Sequence, residues 1–189
     1  MEFSFSNLIA QIKELLLTPN EFWKNKKEVV SESKTLWLTF LLPIMLAVAV
    51  AVFMGEFFQR TDFFIEYPLL KALREIVLFT LTYFLGVTIT NELMKSFGAE
   101  KNIDIARKLV VYSMTPLVLV SIVTGLFPFL YVLDIVGLYS FYLFWLGAKE
   151  MLSFPDNKEN SYVLITIVAN FFVFSFLSVF LSKLLNAYY

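Results

Sequence analysis

The chain has 189 residues, of which 59% are hydrophobic and only 16% are charged, and its formal net charge is −1. This composition excludes an ordinary soluble domain, in which about a quarter of the residues are charged, and the near-zero net charge argues against a nucleic-acid partner. Cysteine and histidine are both absent, which removes disulfides, thiol nucleophiles, the commonest general base and the commonest transition-metal ligand. We therefore expect one membrane domain that is not an enzyme and that holds no cofactor or metal.

Residues 1–35 predict a cytoplasmic segment of amphipathic and juxtamembrane helices. No basic region opens the chain, so a cleaved signal peptide is not expected. Between Phe5 and Leu16 the apolar residues recur at helical spacing, which suits a helix that lies on the membrane and equally a helix that packs on a bundle. The sequence TPNE from Thr18 is a capping box that predicts a second helix, and Trp23 with its neighbouring lysines suits the headgroup zone.

Five apolar stretches are each near the roughly 20 residues that an α-helix needs to cross a bilayer. They predict spans at residues 36–55, 70–94, 109–126, 127–147 and 162–182. The fold class is therefore all-α: an integral membrane bundle of five transmembrane helices over residues 36–189, which follows the N-terminal helical segment.

Glycine, proline and charged residues mark the expected helix boundaries. A break between Gly125 and Pro128 turns the third and fourth spans into a tight hairpin. Gly98 is expected to end the second helix, and Pro43 costs the first span a hydrogen bond and is expected to kink it. At the outer end of the second span, the charged side chains are expected to snorkel outward. These residues are Lys71, Arg74 and Glu75.

The lysines and arginines predict the orientation of the chain in the membrane. If the five spans are correct, 11 of the 15 cations lie on the same side as the N-terminus. The positive-inside rule then predicts a cytoplasmic N-terminus, and an odd number of spans puts the C-terminus outside.

The string FGAEKNIDIARKLVVYSMTPLVLVSIVTGLFPFLYVLDIVGLYSFYLFWLGAKEM resembles the core of the Yip family, the Ypt/Rab-interacting-protein-like polytopic membrane proteins. The matching positions are Gly98, Tyr112, Thr115, Pro116, Pro128, Tyr139, Tyr142 and Gly147, and Pro19-x-x-Phe22 is similar as well. The resemblance implies five spans with a cytoplasmic N-terminus and, from the eukaryotic relatives, a role in vesicle traffic with Rab-type GTPases. The long N-terminal region of those relatives is missing, which favours a short bacterial-type member in the cytoplasmic (inner) membrane over a Rab-binding protein.

Polar residues within the spans are the remaining site candidates, because the sequence contains no catalytic or phosphate-binding motif. Asp134 lies about 10 Å below the outer surface, and an intramembrane acid is by default a candidate functional residue. Two interpretations stay open: a structural hydrogen bond to Ser121 or Thr124, which we favour, and an ion or proton site. Gly137, one turn beyond Asp134, allows a neighbouring backbone to approach closely.

These features predict a non-enzymatic membrane protein of the Yip type that acts through protein or lipid partners in membrane organisation or trafficking-like processes. Membrane lipids and unidentified proteins are the expected partners, and a homo-oligomer is compatible with the sequence. The alternative is a small transporter, channel or lipid-moving protein with a polar intramembrane site around Asp134. A cavity that reaches Asp134 from one side would favour the alternative, and a filled bundle with an exposed apolar groove would favour partner binding.

Overall fold

The computed structural model describes residues 4–28, 35–59, 65–155 and 158–188. These residues are almost entirely helical and contain no strand, which confirms the all-α prediction. Two N-terminal helices come first, α1 (Phe5–Leu17) and α2 (Pro19–Glu28). The remaining elements are a π-helical turn (Trp37–Leu41), α3 (Leu42–Gln59), α4 (Glu66–Ser96), α5 (Ile103–Leu126), a 3-10 segment (Pro128–Leu138), α6 (Tyr139–Met151) and α7 (Glu159–Tyr188).

Five of these helical stretches are long and apolar enough to cross a membrane, which confirms the predicted number of spans. They are Trp37–Gln59, Glu66–Ser96, Ile103–Leu126, Pro128–Met151 and Glu159–Tyr188. The second stretch has 31 residues and is therefore about 46 Å long, so it extends beyond both sides of a hydrocarbon core about 30 Å thick. It begins at Glu66 rather than at residue 70, since the turn that contains Glu66 and Pro68 is helical too.

The bundle is centred on α3, α4 and α5, which pack on one another. In addition, α7 packs on α4, and α6 packs on α5 and α2. We call the end of the bundle that carries α1 and α2 the α2 end, and the end that carries the connection between α5 and the 3-10 segment the hairpin end. At the hairpin end Gly55 of α3 lies directly against the carbonyl of Gly125, so these two helices approach closely where neither has a side chain.

A π-helical turn lies just before Pro43, at the position where the sequence predicted a kink in the first span. Proline has no N–H, and its ring collides with the carbonyl one turn earlier, here that of Thr39. The preceding turn is wider than an α-helical turn, and the N–H of Leu42 bonds to the carbonyl of Trp37, five residues back.

Gly98 ends α4 as predicted. Its φ is +89°, a left-handed conformation that glycine adopts at little cost. The N–H of Ala99 bonds to the Met94 carbonyl at 2.9 Å and that of Gly98 to the Lys95 carbonyl at 3.1 Å, which is a Schellman motif. Three residues later Asn102 caps α5, since its side-chain oxygen accepts from two backbone N–H groups at 3.1 Å.

The helix predicted after Thr18 forms, but the predicted capping box does not appear among the described hydrogen bonds. The Thr18 hydroxyl donates instead to the carbonyl of Glu14 at 3.1 Å. A threonine that also ends the previous helix can satisfy its hydroxyl on that helix, because a threonine side chain reaches the carbonyl four residues back.

Candidate functional site

Four buried aromatic rings form a cluster at the α2 end. Phe22 and Trp23 of α2 meet Tyr112 of α5 edge to face, with ring centroids 4.8 Å and 5.7 Å apart, and Phe40 lies 5.1 Å from the same tyrosine ring. We call these residues the aromatic cluster. Edge-to-face pairs contribute about 0.5–1.5 kcal/mol each beyond the area they bury. The cluster therefore fixes α2 on the bundle. It includes Phe22 and Tyr112, two of the positions that resemble the Yip family.

Gly147 of α6 provides the space for this docking. A Cβ at that position would lie 2.6 Å from Cζ2 of Trp23 and 2.8 Å from Cδ2 of Leu109. A hydrogen bond also holds α2 on α5: the Lys108 ammonium donates to the backbone carbonyl of Lys26 at 2.7 Å. The matched glycine is therefore a packing position that lets α2 rest on α5 and α6.

The other matched residues near the α2 end have local roles. Thr115 and Pro116 are buried in α5, where the Thr115 hydroxyl donates to the carbonyl one turn earlier at 3.2 Å. Tyr142 is exposed on α6, with ring centroids 5.4 Å from Tyr139 and 6.2 Å from Trp145. Tyr142 and Trp145 are exposed on the outside of the fourth span, whereas Tyr139 is half-buried and its hydroxyl donates to the Leu16 carbonyl of α1 at 3.3 Å.

Helix α1 has two apolar edges with different environments. Leu8 and Leu15 are only 5% and 0% exposed and belong to the core, whereas Phe5 and Ile9 are 65% and 51% exposed. On a helix these residues form one continuous apolar stripe. The bundle covers one edge of this stripe and leaves the other open, so the structure supports packing on the bundle and still leaves a surface for the membrane interface.

A cavity of about 510 Å³ lies among α4, α5, the 3-10 segment, α6 and α7, towards the hairpin end. Its volume is within the usual range of small-molecule sites. The cavity brings together five of the predicted residues, Ser121, Thr124, Pro128, Asp134 and Gly137. In the described part of the chain, no group of three or more acidic residues is placed to hold a metal ion.

The Arg74 side chain lies inside the bundle on the cavity wall. One terminal nitrogen donates to the Ser178 carbonyl at 2.8 Å, to the Ser178 hydroxyl at 2.9 Å and to the Ser182 hydroxyl at 2.8 Å. The other terminal nitrogen pairs with Glu75, whose side chain is nearly buried. These contacts join α4 to α7 and compensate the cost of holding a guanidinium within the membrane.

The predicted snorkelling is therefore wrong for Arg74 and Glu75, whereas the contacts of Lys71 do not contradict it. Arg74 and Glu75 turn towards α7 and the cavity, and Lys71 pairs with Glu56 of α3. The physical reason is that α7 offers oxygen acceptors at this depth, so Arg74 need not extend to the membrane surface. The sequence of α4 alone did not show those acceptors.

Asp134 is exposed and lines the cavity, and the favoured hydrogen bond to Ser121 or Thr124 is not present among the described residues. Ser121 donates instead to the Leu117 carbonyl at 2.9 Å, and Thr124 donates to the Val120 carbonyl at 3.3 Å. Helical hydroxyls commonly bond to their own helix in this way. The prediction also assumed α-helical winding, whereas Asp134 belongs to a 3-10 segment with about three residues per turn, so its side chains follow a different period from the one assumed.

The cavity also contains residues that the sequence did not single out. Thr82 and Ser140 are 6% and 8% exposed, and within the described part of the structure their hydroxyl oxygens have no hydrogen-bond partner. Gly137 is packed against Leu117, where a Cβ would lie 2.9 Å from the Leu117 side chain, so the fourth span approaches the third closely. A single hydroxyl in an apolar span does not mark a functional site in the sequence. Only the three-dimensional fold shows that Thr82 and Ser140 line the same cavity.

A family-wide sequence profile described as the Yip1 domain matches residues 13–178 of the chain. This range contains the aromatic cluster and the cavity wall up to Ser178. No curated protein and no solved structure gives a significant match.

Proposed function

This chain belongs to the Yip1 family of membrane proteins, and we propose that it is a non-enzymatic protein that organises the bilayer through lipid contacts of its N-terminal helices. The five spans anchor it as a multi-pass integral membrane protein. The distribution of cations supports a cytoplasmic N-terminus, and we propose that α1 and α2 lie at the cytoplasmic leaflet of a bacterial-type inner membrane.

The observation that carries the proposal is the open apolar edge of α1. Phe5 and Ile9 lie on this edge, while Leu8 and Leu15 hold the same helix against the bundle. An amphipathic helix at the interface buries its apolar side about 5–10 Å into the boundary between headgroups and acyl chains. Because α1 is fixed to five spans, its insertion occupies space in one leaflet at a defined position beside the bundle.

Basic residues on the same helices support a lipid surface as the partner. Lys13 of α1 and Lys24 of α2 are both exposed. Each lysine near an anionic leaflet contributes about 1 kcal/mol of attraction. The buried side of α2, in contrast, is fully engaged with the aromatic cluster.

Reconstitution into vesicles that contain anionic lipid tests this proposal. We expect the wild-type protein to convert round vesicles into smaller or tubular ones in electron micrographs, and Phe5→Glu/Ile9→Glu to lose this effect, because burying carboxylates among acyl chains costs several kcal/mol. The matched control is Ser6→Glu/Ala10→Glu, which puts the same charges at the same spacing on exposed positions of α1. Equal vesicle reshaping by the apolar-edge variant and the wild type would contradict the role of α1.

A second function, the movement of a lipid or solute, is supported by one observation. The cavity of about 510 Å³ reaches Asp134 and two intramembrane cations, Lys71 and Arg74. Its test is the transfer of a fluorescent phospholipid between the leaflets of the same vesicles. A cavity that moves lipid predicts faster transfer with the wild type than with Asp134→Asn, and equal rates for the two proteins and empty vesicles would exclude this function.

A further inference from the structure

We propose that the cavity binds the headgroup of a zwitterionic phospholipid that carries a primary ammonium group, as phosphatidylethanolamine does. The inference goes beyond the membrane-organising role of α1, which lies at the opposite end of the bundle. The inference concerns the same cavity as the second proposed function, but it requires only that the cavity binds the lipid, not that the protein moves the lipid across the membrane.

The first support is the charge arrangement of the cavity. Among the described residues, Lys71 pairs with Glu56 and Arg74 pairs with Glu75, so these four charges compensate one another. Asp134 has no ion pair or hydrogen bond within the same set of residues and faces the cavity. A carboxylate within a span requires a proton, a cation or hydrogen-bond donors. A ligand that suits this cavity therefore carries a cationic group that donates a hydrogen bond to Asp134.

The second support is a hydrogen-bond donor of Arg74 that has no acceptor among the described residues. Both terminal nitrogens of Arg74 have partners, but its buried Nε–H has none within the described structure. A buried N–H without an acceptor is costly, and a phosphate oxygen is a strong acceptor for a guanidinium. A ligand with one phosphate and one ammonium group satisfies both Arg74 and Asp134.

The third support lies deeper in the cavity. Thr82 and Ser140 are more than nine-tenths buried, line the cavity, and have hydroxyl oxygens without a described partner. Thr82 is eight residues from Arg74 on α4, which is about 12 Å along the helix. This order, charges first and hydroxyls deeper, matches the order of phosphate and ester carbonyls along a phospholipid.

The depth of the charges agrees with a lipid headgroup. Arg74 lies eight residues from the start of α4 and Asp134 six residues beyond Pro128, so both are about 12 Å from the hairpin end, given rises of about 1.5 and 2.0 Å per residue. Since α4 is longer than the hydrocarbon core, this position lies only a few ångströms inside the core boundary. A phospholipid from the adjacent leaflet reaches it with a small displacement.

The inner wall of the cavity suits an acyl chain. Phe141, Phe171 and Phe174 line it, and the rings of Phe141 and Phe171 stand edge to face at 5.7 Å. A soluble zwitterion would leave this apolar wall in contact with water, whereas a diacyl lipid covers it. The unpartnered carboxylate also disfavours an anionic headgroup, and a quaternary ammonium has no N–H to donate to Asp134.

Native mass spectrometry of the purified full chain with an equal mixture of phosphatidylethanolamine, phosphatidylcholine and phosphatidylglycerol tests the proposal. We expect at least about tenfold more bound phosphatidylethanolamine than either other lipid, since one charge-assisted hydrogen bond distinguishes them. Asp134→Asn should lower the ratio to phosphatidylcholine, because its amide oxygen still accepts but carries no charge, and Asp134→Leu should bring the ratio close to one. Ser140→Ala should weaken binding of the two zwitterionic lipids alike. Glu66→Gln, a carboxylate at the same end but outside the cavity wall, should keep the preference.

Three results would overturn the assignment. Equal binding of the three lipids by the wild type, or an unchanged preference in Asp134→Asn, would remove the role of the carboxylate. A preference for phosphatidylglycerol would indicate an anion site. Full displacement by millimolar glycerophosphoethanolamine would indicate a soluble headgroup ligand instead of a lipid. In every case Asp134→Asn should still reshape vesicles, so failure of this proposal and failure of the α1 proposal are distinguishable.

Discussion

Gly147 determines whether α2 can dock on the bundle. The indole of Trp23 and the side chain of Leu109 both lie closer to it than an added methyl group tolerates. Neither neighbour can move easily, since Trp23 is fully buried in the aromatic cluster. Adding one carbon atom at residue 147 is therefore expected to weaken the packing of the N-terminal helices on the bundle.

We expect Gly147→Ala to destabilise this attachment by about 1–3 kcal/mol, the usual cost of overpacking a filled site. The fluorescence of Trp23 should shift to longer wavelength, and protease should cut between α2 and the first span at a higher rate. Ala47→Val adds more bulk on an exposed position of α3 and should change neither property. A Gly147→Ala protein with wild-type fluorescence and protease resistance would show that the cluster tolerates the extra methyl.

The charged residues show how far sequence reasoning reaches at the residue scale. An acid or arginine inside an apolar span is visible in the sequence because its burial is expensive, so Asp134 and Arg74 could be noticed. Their partners could not, because Ser178 and Ser182 lie more than 100 positions away from Arg74 along the chain. The predicted partner of Asp134 was wrong for a related reason: its helix winds as a 3-10 segment, and local composition does not indicate that winding.

At the scale of elements, helix ends were more predictable than helix faces. Gly98 and the break before Pro128 end and begin helices through backbone geometry that belongs to those residues alone. The environment of α1 depended on the rest of the fold. Its apolar stripe is evident in the sequence, but only the packed bundle shows that Leu8 is covered and Ile9 is open.

The 3-10 segment is the element whose conformation matters most for the cavity. It extends from Pro128 to Leu138 with a kink at Leu130, whose φ of −88° and ψ of 19° are not helical, and runs of this helix longer than three or four residues are uncommon. Gly137 brings it against α5, and Asp134 lies on its cavity side. The fourth span therefore combines a less regular half at the hairpin end with the α-helical half, α6, that receives α2.

At the scale of the whole molecule, the two ends of the bundle have different construction. The α2 end is filled by the aromatic cluster and covered by α1 and α2, whereas the hairpin end contains the cavity and its charged residues. The sequence predicted five spans because each is long and apolar. It did not predict this asymmetry, which arises from contacts between distant segments.

The orientation of this asymmetric molecule is open to direct measurement. We expect the α2 end to face the cytoplasm because most lysines and arginines lie on that side. The chain has no cysteine, so single cysteines at Ser153 and Tyr188 can be labelled without background. A membrane-impermeant thiol reagent added outside intact cells should label the cysteine at 188 and not the one at 153, and the reverse pattern would contradict the orientation.

The depth of α1 in the bilayer tests the central claim most directly. Spin labels on single cysteines at Ile9 and Ser6 report their distance from the headgroups through quenching by oxygen and by a water-soluble nickel complex. If the exposed apolar edge of α1 inserts into the bilayer, the label at residue 9 lies about 5–10 Å below the phosphates and is protected from the nickel complex. The label at residue 6 remains accessible to the nickel complex. If the nickel complex reaches the label at residue 9 as readily as the label at residue 6 in reconstituted protein, α1 does not enter the membrane, and the proposed action on the bilayer is wrong.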